Sequence, residues 1–390
     1  MTKLLIKLFI KDYENIKSEK VRLKYGVLSG VTGIILNVIL SVFKMVFGAL
    51  TKSISIVADG ANNIFDAISS VISLVGFKIS GKPADDEHPF GHGRIEYISG
   101  LLVSMFILMM GFELLKSSVS KIIHPQEIVA TPLVIVILLV SICIKVYMSF
   151  YNSSISKKID SAAMAATAKD SISDSLSTVV VLITTILTYF TDLHIDGWCG
   201  VLVAFFVLWA GIGAAKDTIS PLLGQPPTKE FVDRIEAIIM EYESQGVLGV
   251  HDLVVHDYGP GRMMLSVHVE VPASGDILIL HDMIDLIEHR LANELGCSAV
   301  IHMDPVCVDD ELTNEIKEKV AEIIHEMEGE IKFHDFRIVN GPTHTNLIFD
   351  VVVPYDYLMT DTEVVGHIRE EVQKIDKNYF VVIEVDKAYR

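Results

Sequence analysis

The sequence predicts a multidomain membrane protein, a six-helix transmembrane bundle followed by two tandem α+β domains. Three observations predict it. Long apolar runs fill residues 27–216 of the 390 and then stop. Charge divides at the same place: residues 217–390 carry 34 acidic and 13 basic side chains, net −21, whereas residues 1–216 carry 16 and 19, net +3. Within the acidic half, the pattern of residues 251–272 returns at 334–354.

The elements follow in chain order. In MTKLLIKLFIKDYENIKSEKVRLKYG, Lys3, Lys7 and Lys11 break the apolar stretch. No cleavable leader is indicated, and residues 1–25 read as a basic amphipathic segment on a membrane surface. A bilayer crossing needs roughly 20 apolar residues. Six segments qualify, at about 27–50, 54–79, 96–119, 131–151, 162–190 and 197–216. They are separated at Thr51-Lys52-Ser53, Gly81 to Gly93, His124-Pro125, Lys157-Lys158 and Asp192 to Asp196. An even number puts both termini on one side. Lys17, Lys20, Arg22, Lys24, Lys78, Lys82, Arg94, Lys157, Lys158 and Lys216 fall on that side, against Lys52, Lys116 and Lys121 opposite. The positive-inside rule makes it the cytoplasm. The expected domains are 1–25, the transport bundle 26–217, and cytoplasmic domains 218–305 and 306–390.

Ionisable groups at membrane depth mark function. In the second span Asn62 and Asp66 are four residues apart, so they stack on one helix face about 6 Å apart along the axis. Asp59 lies on the same stripe, and the fifth span repeats the spacing with Asp170 and Asp174. Two such helices facing each other would bring three carboxylates and one amide oxygen together, an oxygen-rich set for a divalent cation. Without an ion or protons the carboxylates would repel one another, which links metal binding to proton release. Ala162, Ala163, Ala165, Ala166, Ala168, Ser171 and Ser173 would let the fifth span pack closely. A region of net −21 excludes nucleic acid as a natural partner. Cys143, Cys199, Cys297 and Cys307 form no C-x-x-C pair, so neither a disulfide framework nor a thiolate zinc site is indicated.

Six spans with paired ligands on the second and fifth, together with PADDEHPFGHGRIE (83–96), GVLGVHDL (246–253) and VIHMDP (300–305), resemble the cation diffusion facilitator family over residues of about 20–305. The resemblance implies a cation/proton antiporter that exports divalent metal, working as a homodimer with a ferredoxin-like cytoplasmic domain, and no enzyme. Asn62, Asp66, Asp170 and Asp174 would hold the transported ion, and the histidine of zinc-transporting members is lacking. The set resembles the manganese-exporting branch, and carboxylate and carbonyl oxygens suit Mn²⁺. Fe²⁺ and Zn²⁺ export are the alternatives. Asp85, His88 and His92 match the family's loop site, although Pro89 and Gly91 argue against a regular helix there. His251, His268, His302 and Asp304 match its cytoplasmic-domain site. His302 and Asp304 share a strand face, and His281 joins them from a helix start. The expected partners are divalent cations, protons, a plasma-membrane bilayer and a second copy of the chain. A metal enzyme at Asp85, His88 and His92 lacks a His-Glu-x-x-His helix; a non-transporting metal sensor is the remaining rival.

The acidic tail carries an internal repeat. HDLVVHDYGPGRMMLSVHVEVP (251–272) aligns with HDFRIVNGPTHTNLIFDVVVP (334–354), each after an amphipathic helix, at 229–244 and 311–328. Each is followed by another helix and a closing strand, at 299–304 and 380–386. That order fits two ferredoxin-like units. The alignment sets His334, Asp350, Glu384 and Asp386 opposite His251, His268, His302 and Asp304, an oxygen-rich set suited to Mn²⁺ or Ca²⁺.

Overall fold

The computed structural model describes residues 2–16, 18–50, 54–124, 131–191, 196–329 and 331–387. The turns expected at 51–53, Pro125 and 192–195, with Lys17 and Lys52 of the charge count, lie outside the described residues. The chain divides into two compact units: residues 1–225 with 257–262, and residues 226–256 with 263–390.

In the first unit a short helix α1 (Thr2–Phe9) precedes α2 (Glu19–Leu50), α3 (Ile54–Ser80), α4 (Ile95–Ile123), α5 (Pro132–Ile159), α6 (Ala162–Thr191) and α7 (Asp196–Leu223). Helices α2 to α7 are long and apolar enough to cross a membrane. Several overrun the predicted spans: α2 starts before residue 27, and α5 and α7 continue past 151 and 216. Apolarity marks the hydrocarbon width, whereas backbone hydrogen bonding carries a helix on into polar residues such as Lys157 and Lys158. Thr131 caps α5, accepting from the Val134 amide, with Pro132 at the first helical position. Gly224, at φ +94°, closes α7 in the left-handed region that favours glycine. Ile6 and Ile10, in and after α1, are buried among Val21, Tyr25 and Phe77, so one face of the amphipathic segment rests on the bundle while Leu8 and Phe9 are exposed.

Packing within the bundle relies on small residues. A Cβ on Gly48 would lie 2.9 Å from the Val57 amide nitrogen, and one on Gly60 would lie 3.1 Å from that of Met45, so α2 and α3 approach backbone to backbone. Leu202, Phe205, Phe206 and Trp209 on α7 face outward, as a lipid-facing surface requires. At one end of the bundle Arg22 grips the fully buried Glu96 with two hydrogen bonds of 2.6 and 2.9 Å, and its remaining donors reach the carbonyls of Ile159 and Asp160.

The second unit holds α8 (Lys229–Met240), β1 (Gly249–Asp257), β2 (Met263–Pro272), α9 (Ile277–Leu295) and β3 (Cys297–Val306), then α10 (Glu311–Glu326), β4 (Lys332–Asn340), β5 (Thr345–Val353), α11 (Asp361–Ile375) and β6 (Tyr379–Lys387). The strands form two three-stranded sheets, ordered β1-β2-β3 and β4-β5-β6. In each, the last two strands run parallel, with Met263 opposite Cys297 and Thr345 opposite Tyr379. Alternation decides the buried face. Val267, Val269 and Val271 pack with Ile287 and Leu291 of α9, and Leu347, Phe349, Val351 and Val353 pack with Val320, Ile368 and Val372 of α10 and α11. The intervening positions, among them His268, Glu270 and Asp350, therefore fall on the opposite faces, away from the helices.

Replacing Arg22 with Ala strands the Glu96 carboxylate in the bundle, which should destabilise the first unit by about 3–5 kcal/mol. Thermal unfolding in detergent checks this; Glu96→Gln combined with Arg22→Ala should recover much of the loss, because the orphaned charge is gone.

Candidate functional site

The polar stripe of α3 runs through Asn62, Asp66, Ser69 and Ser73, spaced so that all four share a face. Asp66, Ser69 and Ser73 are buried, whereas Asn62 is exposed, so the stripe emerges from the bundle at Asn62. The buried neighbour Asn63 donates to Asp66 Oδ2 at 2.9 Å. On α6, Asp170 is buried and Asp174 half-buried. Ser73 Oγ and Thr167 Oγ1, 3.2 Å apart, tie the two helices together below them. Asp66, Asp170 and Asp174 each present a carboxylate oxygen, and the three oxygens lie within 4.8 Å of one another.

A third helix enters this cluster. Lys145 of α5, 2% exposed, places Nζ 2.6 Å from Asp66 Oδ2 and 2.7 Å from Asp174 Oδ2. Its ammonium bridges the carboxylate of α3 and that of α6. It has no charged companion in its own span, so helical spacing does not flag it. The signal was present: between Glu127 and Lys157, Lys145 is the single charged residue. Lys44 of α2 plays a similar part nearer the end of α3, 2.8 Å from Asp59.

Further clusters form outside the spans, among them the two expected from the sequence. Between α3 and α4 the chain makes an irregular loop rather than a helix, as Pro89 and Gly91 require. The His88 amide donates to Asp85 at 2.8 Å, holding the Asp85 carboxyl below the usual carboxylate range. His88 and His92 lie 3.4 and 3.5 Å from the two Asp85 oxygens, and their rings are 4.6 Å apart. In the first sheet His268 Nδ1 and His251 Nε2 approach Asp304 Oδ2 at 2.9 and 3.2 Å. His302 joins at the edge, 3.6 Å from Asp304 and with its ring against that of His268. Burial resists charging of His251, but its hydrogen bond to Asp252 and the facing carboxylates of Asp304 and Glu270 outweigh this and raise its pKa. His281 does not join: it sits in α9, exposed, with Asp285 as its ionic neighbour. A helix start next to the sheet is not enough, since this position points outward beside the buried Leu280.

Comparison with known proteins now bears on these clusters. The profile described as "Cation efflux transmembrane domain" matches residues 31–223, and "Cation efflux protein, cytoplasmic domain" matches 227–306. An uncharacterized transporter of Methanocaldococcus jannaschii is 31% identical over 277 residues, 71% of this chain and 97% of the relative. The chain belongs to the cation diffusion facilitator family. It is a cation efflux transporter with a multi-pass membrane domain. The cation-efflux pump FieF of Klebsiella pneumoniae is 24% identical over 259 residues, 66% of this chain and 85% of the pump. A cadmium, cobalt and zinc/H(+)-K(+) antiporter of Bacillus velezensis is 24% identical over 264 residues, 67% and 82% of the two chains. In this transporter the profile matches end at Val306, so α10, β4, β5, α11 and β6 lie beyond them.

Removing the ammonium should expose the mutual repulsion of the triad. Lys145→Met should lower stability by about 3–5 kcal/mol, the usual penalty for leaving buried charge unpaired. Added divalent cation should restore more of the lost thermal stability in this variant than it adds to the native chain, as read by unfolding in detergent with and without Mn²⁺.

Proposed function

We propose that this transporter exports Mn²⁺ from the cytoplasm in exchange for protons, by alternating access, as a homodimer of the plasma membrane with both termini cytoplasmic. The observation that carries the reading is the gathering of Asp66, Asp170 and Asp174, three carboxylates with no imidazole, around a buried ammonium in the spans. Such oxygen ligands suit a hard cation, whereas imidazole would favour zinc. Asn62, one helical turn from Asp66 toward the outer end of α3, is the neutral oxygen we assign to the ion's ligand set. The basic residues at one set of helix ends support the orientation.

Charge counting gives Lys145 its role. Three carboxylates and one ammonium sum to −2, which one divalent cation neutralises. The ammonium also stands between the two oxygens an ion would need, so the arriving ion displaces it and shares the carboxylates. Proton return from outside protonates the carboxylates, releases the ion and lets the lysine reclaim its partners.

We read Asp85, His88 and His92, and His251, His268, His302 and Asp304, as accessory metal sites. We also read the second sheet as a copy of the first, each a ferredoxin-like unit. The shared helix-strand-strand-helix-strand order supports this, as do the parallel closing strands and the left-handed Asp252 (φ 48°) and Asp335 (φ 53°), each after a histidine. A second reading, Zn²⁺ or Fe²⁺ efflux, is favoured by the zinc named in the Bacillus velezensis relative.

Reconstituted into proteoliposomes with an imposed proton gradient, the native chain should move Mn²⁺, and Asp66→Ala or Asp174→Ala should reduce flux to background while the purified protein stays monodisperse. Undiminished flux in Asp174→Ala would sink the site. Asp170→His should raise the Zn²⁺/Mn²⁺ flux ratio, because one hard oxygen becomes a borderline nitrogen; an active variant with an unchanged ratio would place selectivity elsewhere.

A further inference from the structure

Where the two sheets of the second unit meet, a group of side chains forms that no single sheet contains. His334 of β4 stacks on His251 of β1, with ring centroids 4.1 Å apart. The Asp335 amide reaches Glu270 of β2 at 3.5 Å. At this seam Asp252 of β1 meets Asp350 of β5 and Asp386 of β6, and the three offer carboxylate oxygens within 4.8 Å of one another. Oxygens sharing one hard cation with bonds of about 2.0–2.6 Å stand at most about 4–5 Å apart, so this spacing is close to what one ion needs.

Acidic clusters are common on an acidic surface, so the carboxylates alone decide nothing. The deciding residue is His334. Its side chain is 9% exposed, yet neither ring nitrogen has a hydrogen-bond partner among the described residues. A buried imidazole ordinarily satisfies at least one nitrogen. Nε2 is aimed into the carboxylate group, 3.4 Å from Asp252 Oδ1 and 3.9 Å from Asp386 Oδ2, distances too long for a good hydrogen bond and suited to an atom between them. Asp350 lies directly across from His334 in the β4–β5 ladder, on the same face. The sheet partner of Asp350 in β6 is Glu384, which is exposed and stays outside the group; Asp252, from the other sheet, takes its place.

We infer that Asp252, His334, Asp350 and Asp386 bind one hard divalent cation of the Mn²⁺ class, which clips the second sheet to the first. Three carboxylate oxygens and one imidazole favour Mn²⁺, with Ca²⁺ as the weaker competitor. The site adjoins the His251, His268 and Asp304 cluster, to which the His251–Asp252 hydrogen bond joins it, but it takes its residues from both sheets, whereas that cluster lies wholly in the first. Its position across the seam makes it structural: the ion joins residues that are far apart in sequence, and its binding energy becomes docking energy between the sheets. The seam site does not depend on which ion is transported; only the Asp66 comparison below rests on the Mn²⁺ reading of the bundle site.

The test uses the full-length chain in detergent, with Mn²⁺ as probe and equilibrium dialysis to count bound ions. Asp350→Asn with Asp386→Asn should lower the Mn²⁺ stoichiometry by about one per chain, and His334→Ala should weaken that one ion by about tenfold or more. Asp66→Ala, which removes the transport site instead, should lose a different ion, so the combined variants should lose both. Hydrogen exchange on the native chain gives a reading that needs no variant. Mn²⁺ should slow exchange in peptides covering 332–340, 345–353 and 379–387. An unchanged ion count in the double variant, or no Mn²⁺-dependent protection of those three strands, would leave the seam as an acidic surface without an ion and overturn the inference.

Discussion

A positive charge buried in the bundle organises the membrane half of this protein. Three carboxylates sit together on α3 and α6, two of them buried and Asp174 half-buried. Two unit charges about 4.8 Å apart at an effective dielectric constant of 20 repel by about 3–4 kcal/mol, and three make three such pairs. Lys145 is what lets the helices close. The same residue ties α5, which packs along α6, to Asp66 of α3 across the bundle, and the alanines and serines of α6 allow close helix approach. Arg22 with Glu96 and Lys44 with Asp59 extend the rule, pairing helices through single charges rather than through apolar area, which lipid would satisfy equally well.

The soluble half solves the opposite problem. Water is available on every side, so apolar area is what holds it together, and each three-stranded sheet buries one face under two helices. The other face is then left for polar residues by the strand period alone. That is why histidines and aspartates collect on it: His268 and Asp304 in the first sheet, His334, Asp350 and Asp386 in the second. Two small sheets that each cover only one face have their polar faces available to meet, and His251 stacked on His334 marks where they do.

Much of this was legible in the sequence, and the misses share a cause. The six spans, the strand pairs and their closing strands follow from period and length, which are local. Asp66, Asp170 and Asp174 were legible because charge in an apolar run is rare and the four-residue spacing names the face. Lys145 carries the same kind of signal but has no partner in its own helix, so spacing could not flag it; its partners are 79 and 29 residues away. Helical spacing put Asn62 on the right face yet could not say how deep the stripe is buried, and depth depends on neighbouring helices. His281 failed because a motif places a residue in sequence, whereas the exposed side of α9 is set by which of its residues pack on the sheet. Glu384 failed for a related reason. The repeat alignment puts Glu384 in the place of His302, and in the ladder it lies opposite Asp350, but only the approach of the other sheet decides whether Asp252 or Glu384 completes the group.

The two carboxylate triads differ in what stands beside them, and the difference sorts their tasks. In the bundle the companion is an ammonium, a cation that cannot ligate metal while it holds its protons. On the proposed transport reading it competes with an arriving ion, and without one it offsets the repulsion within the triad. At the seam the companion is an imidazole with free nitrogens, which can itself become a ligand. It adds to the hold on an ion instead of opposing it. On the readings proposed above, a resident competitor suits a site that releases its ion, and a fourth ligand suits one that joins two sheets. The placement of Lys145 at one and His334 at the other is the arrangement that those opposed requirements select.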